Sequence, residues 1–314
     1  MIVPIAQSEH NTIQTAGFGG DLFYRFVSFI DAKPATVATY KRAIKQMFKY
    51  FAEQGITTDP TREDIIAYRE HLKETLKPST VQMYIIAAKM FFRWAEGEGI
   101  CKNVADNIKG AKLNREHKKD YLTSGQISDI LQGIDRNTIQ GKRDYAILFL
   151  MVTGGLRTIE VSRANIEDLR SVGDSTVLYI QGKGKEEKTE YMKLVPAVER
   201  AIREYLKEVD NQTSKAPLFT STSNNSKGQR LTTRTISGIA KEYMIKAGYN
   251  SERLTAHSLR HTAVTLLLLS GESIQGAKEF ARHANISTTD IYAHNIDRAN
   301  SKYEEAIAGA IGLT

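Results

Sequence analysis

Two imidazoles, a guanidinium and a phenol fall within one stretch of this chain. It runs His257-Ser258-Leu259-Arg260-His261-Thr262, then an apolar segment, then Ala281-Arg282-His283, then Ser287-Thr288-Thr289-Asp290-Ile291-Tyr292. These side-chain types suit chemistry at a phosphate. A guanidinium holds an anionic oxygen pair and keeps its charge, and imidazoles exchange protons near neutrality. A phenol, with an ordinary pKa of about 10, becomes a nucleophile only beside cations and a proton acceptor.

Helix geometry ties these groups together. Residues three apart share a helix face, so His257 and Arg260 point into one site, while Ala263, Val264, Leu266, Leu267 and Leu268 anchor their helix in a core. Ser287 followed by Asp290 has the form of a capping box, which starts a short helix carrying Tyr292 in its second turn. His257 and His261 are spaced like a zinc-binding pair. Zinc proteases place a Glu between such residues, however, and here Arg260 lies there, a fixed positive charge that repels a cation. His257 therefore reads as a proton-transfer group or phosphate hydrogen-bond donor, and His261 as a residue that packs the helix or supports the reacting groups from behind.

This spacing resembles the C-terminal signature of the tyrosine recombinases, the integrase and Xer-like family. There a His-x-x-Arg pair is followed by a third His and, nine residues later, by a nucleophilic Tyr; His283 and Tyr292 keep that interval. The family's upstream Arg, in a Thr-Gly-x-Arg context, has its counterpart in Thr153-Gly154-Gly155-Leu156-Arg157, followed by Glu160. Gln181-Gly182-Lys183-Gly184-Lys185 resembles the β-hairpin with the family's catalytic Lys, and its Gly-Lys-Gly context selects Lys183 over Lys185 and Lys188. The resemblance runs from about Phe18 to Tyr303. One position departs from it: the residue before the third His is usually Gly and is Arg282 here, which bears on the local backbone and nearby charge.

The resemblance implies a role for each residue. Arg157 and Arg260 clamp one phosphate, Lys183 protonates the departing 5′ oxygen, His257 transfers a proton or donates to the phosphate, His283 hydrogen-bonds the transition state, and Tyr292 forms a 3′-phosphotyrosine. That ester stores the bond energy, so neither ATP nor a metal is required and no cofactor is expected. The implied activity is site-specific DNA recombination through a Holliday junction. The implied partner is double-stranded DNA with inverted-repeat core sites, on which the protein self-associates to a tetramer. A type IB topoisomerase shares the chemistry, and a catalytically silent DNA-binding protein could share the fold.

Positioning these residues takes a chain of two domains, and 314 residues with 41% hydrophobic content suffice for two cores. A net charge of +7 favours a polyanionic partner, and a single cysteine, Cys101, excludes an intramolecular disulfide framework, a Cys-rich zinc site and an iron–sulfur cluster. The first residues lack a signal-peptide pattern and no apolar run approaches the roughly 20 residues of a membrane span, so a cytoplasmic protein without a membrane partner is expected.

The expected fold is mainly α with a small β-sheet: an all-helical, SAM-like core-binding domain followed by a mixed α/β catalytic domain. A flexible lead, 1–17, precedes a helical domain over 18–110. That lead is too short for the arm-site module of larger integrases, which implies binding to core sites only. Within the domain, Lys33-Pro34-Ala35-Thr36-Val37-Ala38-Thr39-Tyr40 recurs as Lys77-Pro78-Ser79-Thr80-Val81-Gln82-Met83-Tyr84, a duplicated helical unit. Pro opens each helix and Gly55 or Gly99 closes it. A helix capped by Thr61 lies between.

The starts of the repeated helices carry Lys33, Thr36, Lys41, Lys77, Ser79, Thr80 and Gln82, where N–H groups and side chains can meet DNA phosphates. From Lys102 to Lys119 apolar periodicity lapses and basic residues gather, giving a basic linker at 111–121 whose surroundings include Lys109 and Lys112 as further phosphate contacts. The catalytic domain, 122–314, opens with a capped helix at Thr123 and a second helix ending at Gly154-Gly155. Two strands follow, Thr176–Ile180 and Thr189–Leu194, then helices near 197–209 and 232–247. At the end, Asn300 to Ile311 forms an amphipathic helix with Tyr303, Ile307, Ala310 and Ile311 on one face. It either covers its own domain or docks on a neighbouring protomer.

Overall fold

The computed structural model describes residues 20–56, 59–112, 120–182, 184–209, 213–292, 307, 308, 310 and 311. Lys183 and most of the C-terminal amphipathic segment lie outside the described residues, as does the lead. The chain divides between residues 116 and 117 into two compact units.

The first unit contains α1 (Gly20–Phe29), α2 (Pro34–Glu53), α3 (Arg62–Thr75) and α4 (Pro78–Gly97). The sequence duplication is a structural one. Both α2 and α4 span 20 residues, start with Pro after an extended Lys33 or Lys77, and are followed by left-handed glycines, Gly55 at φ +70° and Gly99 at φ +68°. Pro lacks only an N–H that the first turn leaves unused, and glycine enters the left-handed region without a Cβ clash. Thr61 and Asp64 cap α3 reciprocally, each side chain accepting from the other's N–H, as that spacing requires. The core holds Ile44, Phe48 and Phe51 of α2 and Val81, Ala88, Phe91 and Ala95 of α4, all buried. Phe91 meets Phe48 and Phe26 edge-on at 5.2 and 5.3 Å between centroids, an arrangement that aligns ring quadrupoles.

The basic stretch begins inside this unit. Ala105 and Ile108 are buried in its core, and Arg62 and Arg69 donate to the carbonyls of Asp106 and Lys109 at 2.5 and 2.8 Å. An irregular strap fixed by two apolar anchors and two guanidiniums needs no helical periodicity, so the lapse of pattern at Lys102 does not mark the domain's edge.

The second unit runs α5 (Ser124–Gln132), α6 (Ile139–Gly154), α7 (Thr158–Arg163), β1 (Leu169–Val172), β2 (Ser175–Ile180), β3 (Glu190–Lys193), α8 (Pro196–Leu206), α9 (Thr233–Lys246), α10 (Ala256–Leu269) and α11 (Ile274–Ala281). Its sheet is antiparallel in the order β1-β2-β3, with Val172 opposite Ser175 and Tyr179 opposite Tyr191. The strand β1 was not expected. Three of its four residues are exposed, so it lacks the alternation of a half-buried strand, although the Gly173-Asp174 turn joining it to β2 is a hairpin signal. No helix among the described residues is long and apolar enough to cross a membrane.

The main core lies between α6, α8, α9 and the sheet, with Ile147, Leu150, Ile202, Tyr205, Ile236 and Met244 near full burial. Thr123 and Gln126 cap α5 reciprocally. A buried polar network ties α6 to α9 and to the segment after α8. Arg143 pairs with Asp144 at 2.7 Å and donates to the Thr220 carbonyl, and Tyr243 donates to Asp144 at 3.4 Å.

Candidate active site

The site is built on the end of α6. Gly154 and Gly155 turn the chain there, Gly155 in a backbone conformation that favours glycine and Gly154 against the Met192 side chain. A Cβ on Gly154 would meet Met192 Sδ at 2.3 Å, and one on Gly155, at φ +56°, would meet Phe280 at 2.9 Å. Two residues later Arg157 stands at the start of α7, and Glu160 lies one turn on. Glu160 is 2% exposed. Its carboxylate accepts Arg157 N–H at 2.9 Å and the Arg157 guanidinium at 2.8 Å, so a helix-start contact also aims a cation.

Arg260 arrives from α10. It is 1% exposed, with Nη1 donating to Gly155 O at 2.5 Å and Nη2 donating to Ala281 O, while its Nε has no hydrogen-bond partner. A buried donor left without an acceptor costs roughly 1–3 kcal/mol. Burial, then the neighbouring Arg157, pushes the Arg260 pKa down to about 9. It remains a cation at neutral pH. Ala263 and Val264 of the same helix are buried and Leu266, Leu267 and Leu268 half-buried, which anchors it as its sequence pattern predicts.

His257 is exposed in the first turn of α10. His261, one turn on and buried, packs its ring 4.6 Å from His257 and 4.9 Å from Tyr292. It fills the packing role expected of it. His283 follows α11, whose end is closed by His283 N–H donating to Lys278 O at 3.1 Å. That closure places Arg282 in the left-handed region, at φ +53°, where a residue with a Cβ costs roughly 1–2 kcal/mol. The departure from the usual Gly therefore leaves the glycine-type backbone intact and adds a side chain to the site. Arg282 donates to Gly154 O at 3.2 Å, to Gly155 O at 3.3 Å and to Glu160 at 3.4 Å.

Tyr292 lies on helical residues 287–292. The entry to this helix differs from the Ser287–Asp290 box: Asn285 Oδ1 accepts Ser287 N–H at 3.0 Å, an Asx turn that starts the helix without a bond from Asp290. Thr289, fully buried, bonds His283 Nδ1 at 2.9 Å and so joins the third His to the Tyr helix. The Tyr292 ring stacks 6.3 Å from His283 and is 6% exposed against Val264, Ala277 and Ala281. Burial raises its pKa to about 12, with Arg260 and Arg157 pulling the other way. His283 moves down to about 4, through burial and then the repulsion of Arg260 and Arg157, and is neutral at pH 7.

Five expected residues, Arg157, His257, Arg260, His283 and Tyr292, thus come together. Arg157 stands between two clefts. One, of about 890 Å³, is also lined by Gly182, Lys185, Glu190, Arg282 and His283. The other, of about 620 Å³, includes Thr158, Ser237, Lys241 and His257. Lys183 lies outside the described residues, but its neighbours on the loop are placed. Lys185 pairs with Glu190 at 2.7 Å and Lys188 with the buried Asp168 at 2.5 Å.

The sequence pattern gives Glu160 no role beyond following Arg157, and marks Arg282 only as a departure. The spacing of Arg157 and Glu160, three apart at a helix start, was the available signal for the first. In the first unit Lys33, Thr36, Lys77 and Ser79 are exposed, and Lys41, Thr80 and Gln82 are half-buried. Gln82 packs against the backbone of Gly110. Neither Lys33 nor Lys77 caps its helix with a side chain, so the first-turn N–H groups are not engaged from that side. Lys109, at the end of the strap, and Lys112, beyond it, are exposed.

Residues 120–298 match the phage integrase family, and residues 23–99 match the N-terminal SAM-like domain of phage integrases. The chain is 29% identical over 276 residues to tyrosine recombinase XerC of Herpetosiphon aurantiacus, covering 86% of this chain and 88% of that protein. It is 28% identical to tyrosine recombinase XerD of Lacticaseibacillus casei, covering 86% and 92%. In fold it is similar to XerH site-specific recombinase bound to a palindromic difH substrate, with TM-score 0.69 and 21% identity over 85% of this chain and 80% of that one. A lambda integrase dimer bound to a COC′ core site gives TM-score 0.67 and 17% identity, covering 87% and 76%. With its catalytic unit matched from end to end of the clustered residues, the chain belongs to the phage integrase family, the tyrosine recombinases that cleave and rejoin DNA.

Proposed function

We propose that this enzyme recombines specific DNA sites, with Tyr292 as nucleophile and Arg157, Lys183, His257, Arg260 and His283 as its catalytic partners. The observation that carries this assignment is the gathering of Arg157, aimed by Glu160, and Arg260, held by Gly155, around the end of α6, with the Tyr292 ring stacked on His283 and packed against His261. Tyr292 Oη attacks the scissile phosphorus and the bond to the 5′ oxygen breaks, leaving a 3′-phosphotyrosine. Arg157 and Arg260 hold the non-bridging oxygens, where charge builds in the five-coordinate transition state. His257 takes the phenolic proton, and His283, neutral at pH 7, hydrogen-bonds the phosphorane. Lys183 gives its proton to the 5′ oxygen. The ion pairs of Lys185 and Lys188 support choosing Lys183 for that task. Rejoining reverses these steps with a 5′ hydroxyl from the second duplex, and two exchanges pass through a Holliday junction.

The division of labour follows the two matched regions. Residues 18–110 form the core-binding domain, meeting phosphates through Lys33, Thr36, Lys41, Lys77, Ser79, Thr80 and Gln82. The linker at 111–121 tracks the duplex together with Lys109 and Lys112, and residues 122–314 form the catalytic domain. Two protomers occupy an inverted-repeat core site and two such sites synapse as a tetramer. The reaction takes place in the cytoplasm, where its DNA is.

The C-terminal segment joins protomers. Its described isoleucines, Ile307 and Ile311, are 62% and 65% exposed, and an apolar groove of about 430 Å³ lined by Ile127, Leu131, Val152, Leu266, Leu267 and Phe280 offers a second copy's segment a matching surface.

The test uses a duplex that the full chain selects from a random-sequence pool, nicked so that cleavage becomes irreversible. A covalent protein–DNA adduct is expected with the parent chain and none with Tyr292→Phe, which still binds the duplex. An adduct that persists in Tyr292→Phe refutes the assignment. A junction assay on paired sites then separates recombination from simple relaxation.

A further inference from the structure

Three residues other than glycine have positive φ among the described residues: Asp59, Asn107 and Arg282. Asp and Asn enter that region readily because their short side chains bond locally, whereas Arg has no such compensation. Arg282 is also an added cation. Its side chain is 10% exposed, and both burial and Arg157 disfavour its charge, opposed by Glu160. Its Nε has no hydrogen-bond partner. A glycine at this position would avoid all three penalties.

An ordinary helix-end role explains little of what Arg282 does. An arginine after a helix often bonds the last carbonyls, and Nη1 does so with Phe280 O at 2.9 Å. Its other bonds, to Gly154 O, Gly155 O and the Glu160 carboxylate, reach a distant part of the chain. Glu160 is the group that aims Arg157, and Gly155 O is the acceptor that holds Arg260. Arg282 is therefore bonded to the anchors of both.

We infer that Arg282 is a positioning residue for strand cleavage: its guanidinium fixes the Glu160 carboxylate and the Gly154–Gly155 turn, and through them sets Arg157 and Arg260 to the geometry of the transition state. It need not touch the scissile phosphate. Strain and like-charge crowding collect where geometry must be over-determined, which is where such outliers occur. The inference rests on the cleavage reading of the same site.

The experiment uses the full chain and the nicked, pool-selected duplex. Arg282→Gly removes the fork and relieves the backbone, so its melting temperature is expected to equal or exceed the parent's. Binding to the uncleaved duplex is expected to stay within about twofold, because the contacts to DNA remain. Single-turnover cleavage is expected to fall roughly a hundredfold, the scale of a misplaced catalytic group, and added methylguanidinium to restore part of it. Arg282→Lys keeps a charge without the fork and is expected to stay slow. Cleavage by Arg282→Gly within about threefold of the parent overturns the inference. So does a loss matched by equal losses of binding or of folding, or full activity in Arg282→Lys. A parent chain that forms no adduct refutes the cleavage reading itself, and that arm is scored separately.

Discussion

Glu160→Gln is the substitution that most directly tests the electrostatics of the site. The carboxylate is 2% exposed and has Arg157 at 2.8 Å and Arg282 at 3.4 Å, with Arg260 close enough to be affected by all of them. One negative charge therefore stands among three guanidiniums. Glutamine keeps the shape and one acceptor oxygen but presents an amide N–H₂ to the cations. Removing one partner of a buried ion pair costs about 3–5 kcal/mol because the remaining charge stays buried. For a unit of this size each kcal/mol moves the melting temperature by about 2–4 °C, so a fall of roughly 6–20 °C is expected. The assay is calorimetry of parent and variant, each with and without the selected duplex. A DNA phosphate supplies the missing negative charge, so saturating duplex should raise the variant's melting temperature more than the parent's. A variant that melts within 2 °C of the parent (an assay margin of about half a kcal/mol on the same scale), or equal stabilisation of both by DNA, refutes this charge balance.

Other outcomes follow from single contacts. Lys183→Ala should lose cleavage of an ordinary duplex but recover it on one with sulfur at the 5′ bridging position, since a thiolate leaves without a proton; Lys185→Ala should need no such rescue. His283 holds a folded pKa of about 4 against an ordinary 6.5, so the unfolded chain binds more protons between these values. The stability this supplies is complete above about pH 6.5 and is lost as pH falls through 4. The parent's melting temperature should decline over that window, and calorimetry of His283→Gln should show a shallower slope; parallel slopes contradict the burial argument. Changing Ile307 and Ile311 to Asp should leave binding to one core site intact while abolishing tetramers on paired sites in sedimentation.

Much of this site was legible in the sequence because its geometry is local. His257 and Arg260 share a helix face by their spacing, and His283 and Tyr292 are joined by a short capped turn whose length the chain itself sets. The duplicated helices were legible for the same reason, since Pro and Gly mark their ends. What could not be read depends on burial and distant contact. Glu160 looks identical whether it faces water or three guanidiniums, and only the reach of Arg282, beyond α11, back to α7 distinguishes the two. Arg282 appeared as an exception to a pattern, and its partners at Gly154 and Gly155 lie more than a hundred residues away in the chain. The strand β1 escaped because an edge strand with exposed side chains carries no alternation. At Lys102 the lapse of periodicity was real, but Ala105 and Ile108 are enough to hold a strap.

The state of Tyr292 limits how the arginines can activate it. In the protein alone Arg260 and Arg157 draw the phenol's pKa down, yet burial outweighs them and leaves it at about 12. When a phosphodiester binds, its negative charge cancels part of the guanidinium field, so the same cations ionise the phenol still less. On the proposed assignment the arginines act on the phosphorane, whose charge grows during attack, and the proton leaves Tyr292 in the transition state toward an imidazole. The ring is packed on Val264, Ala277 and Ala281, and the proposed attack requires it to leave that pocket. The helix at 287–292 is tied at its entry through Asn285 and along its length through Thr289 to His283. As the proposed nucleophile, Tyr292, protonated and buried, waits on both the phosphate and that displacement.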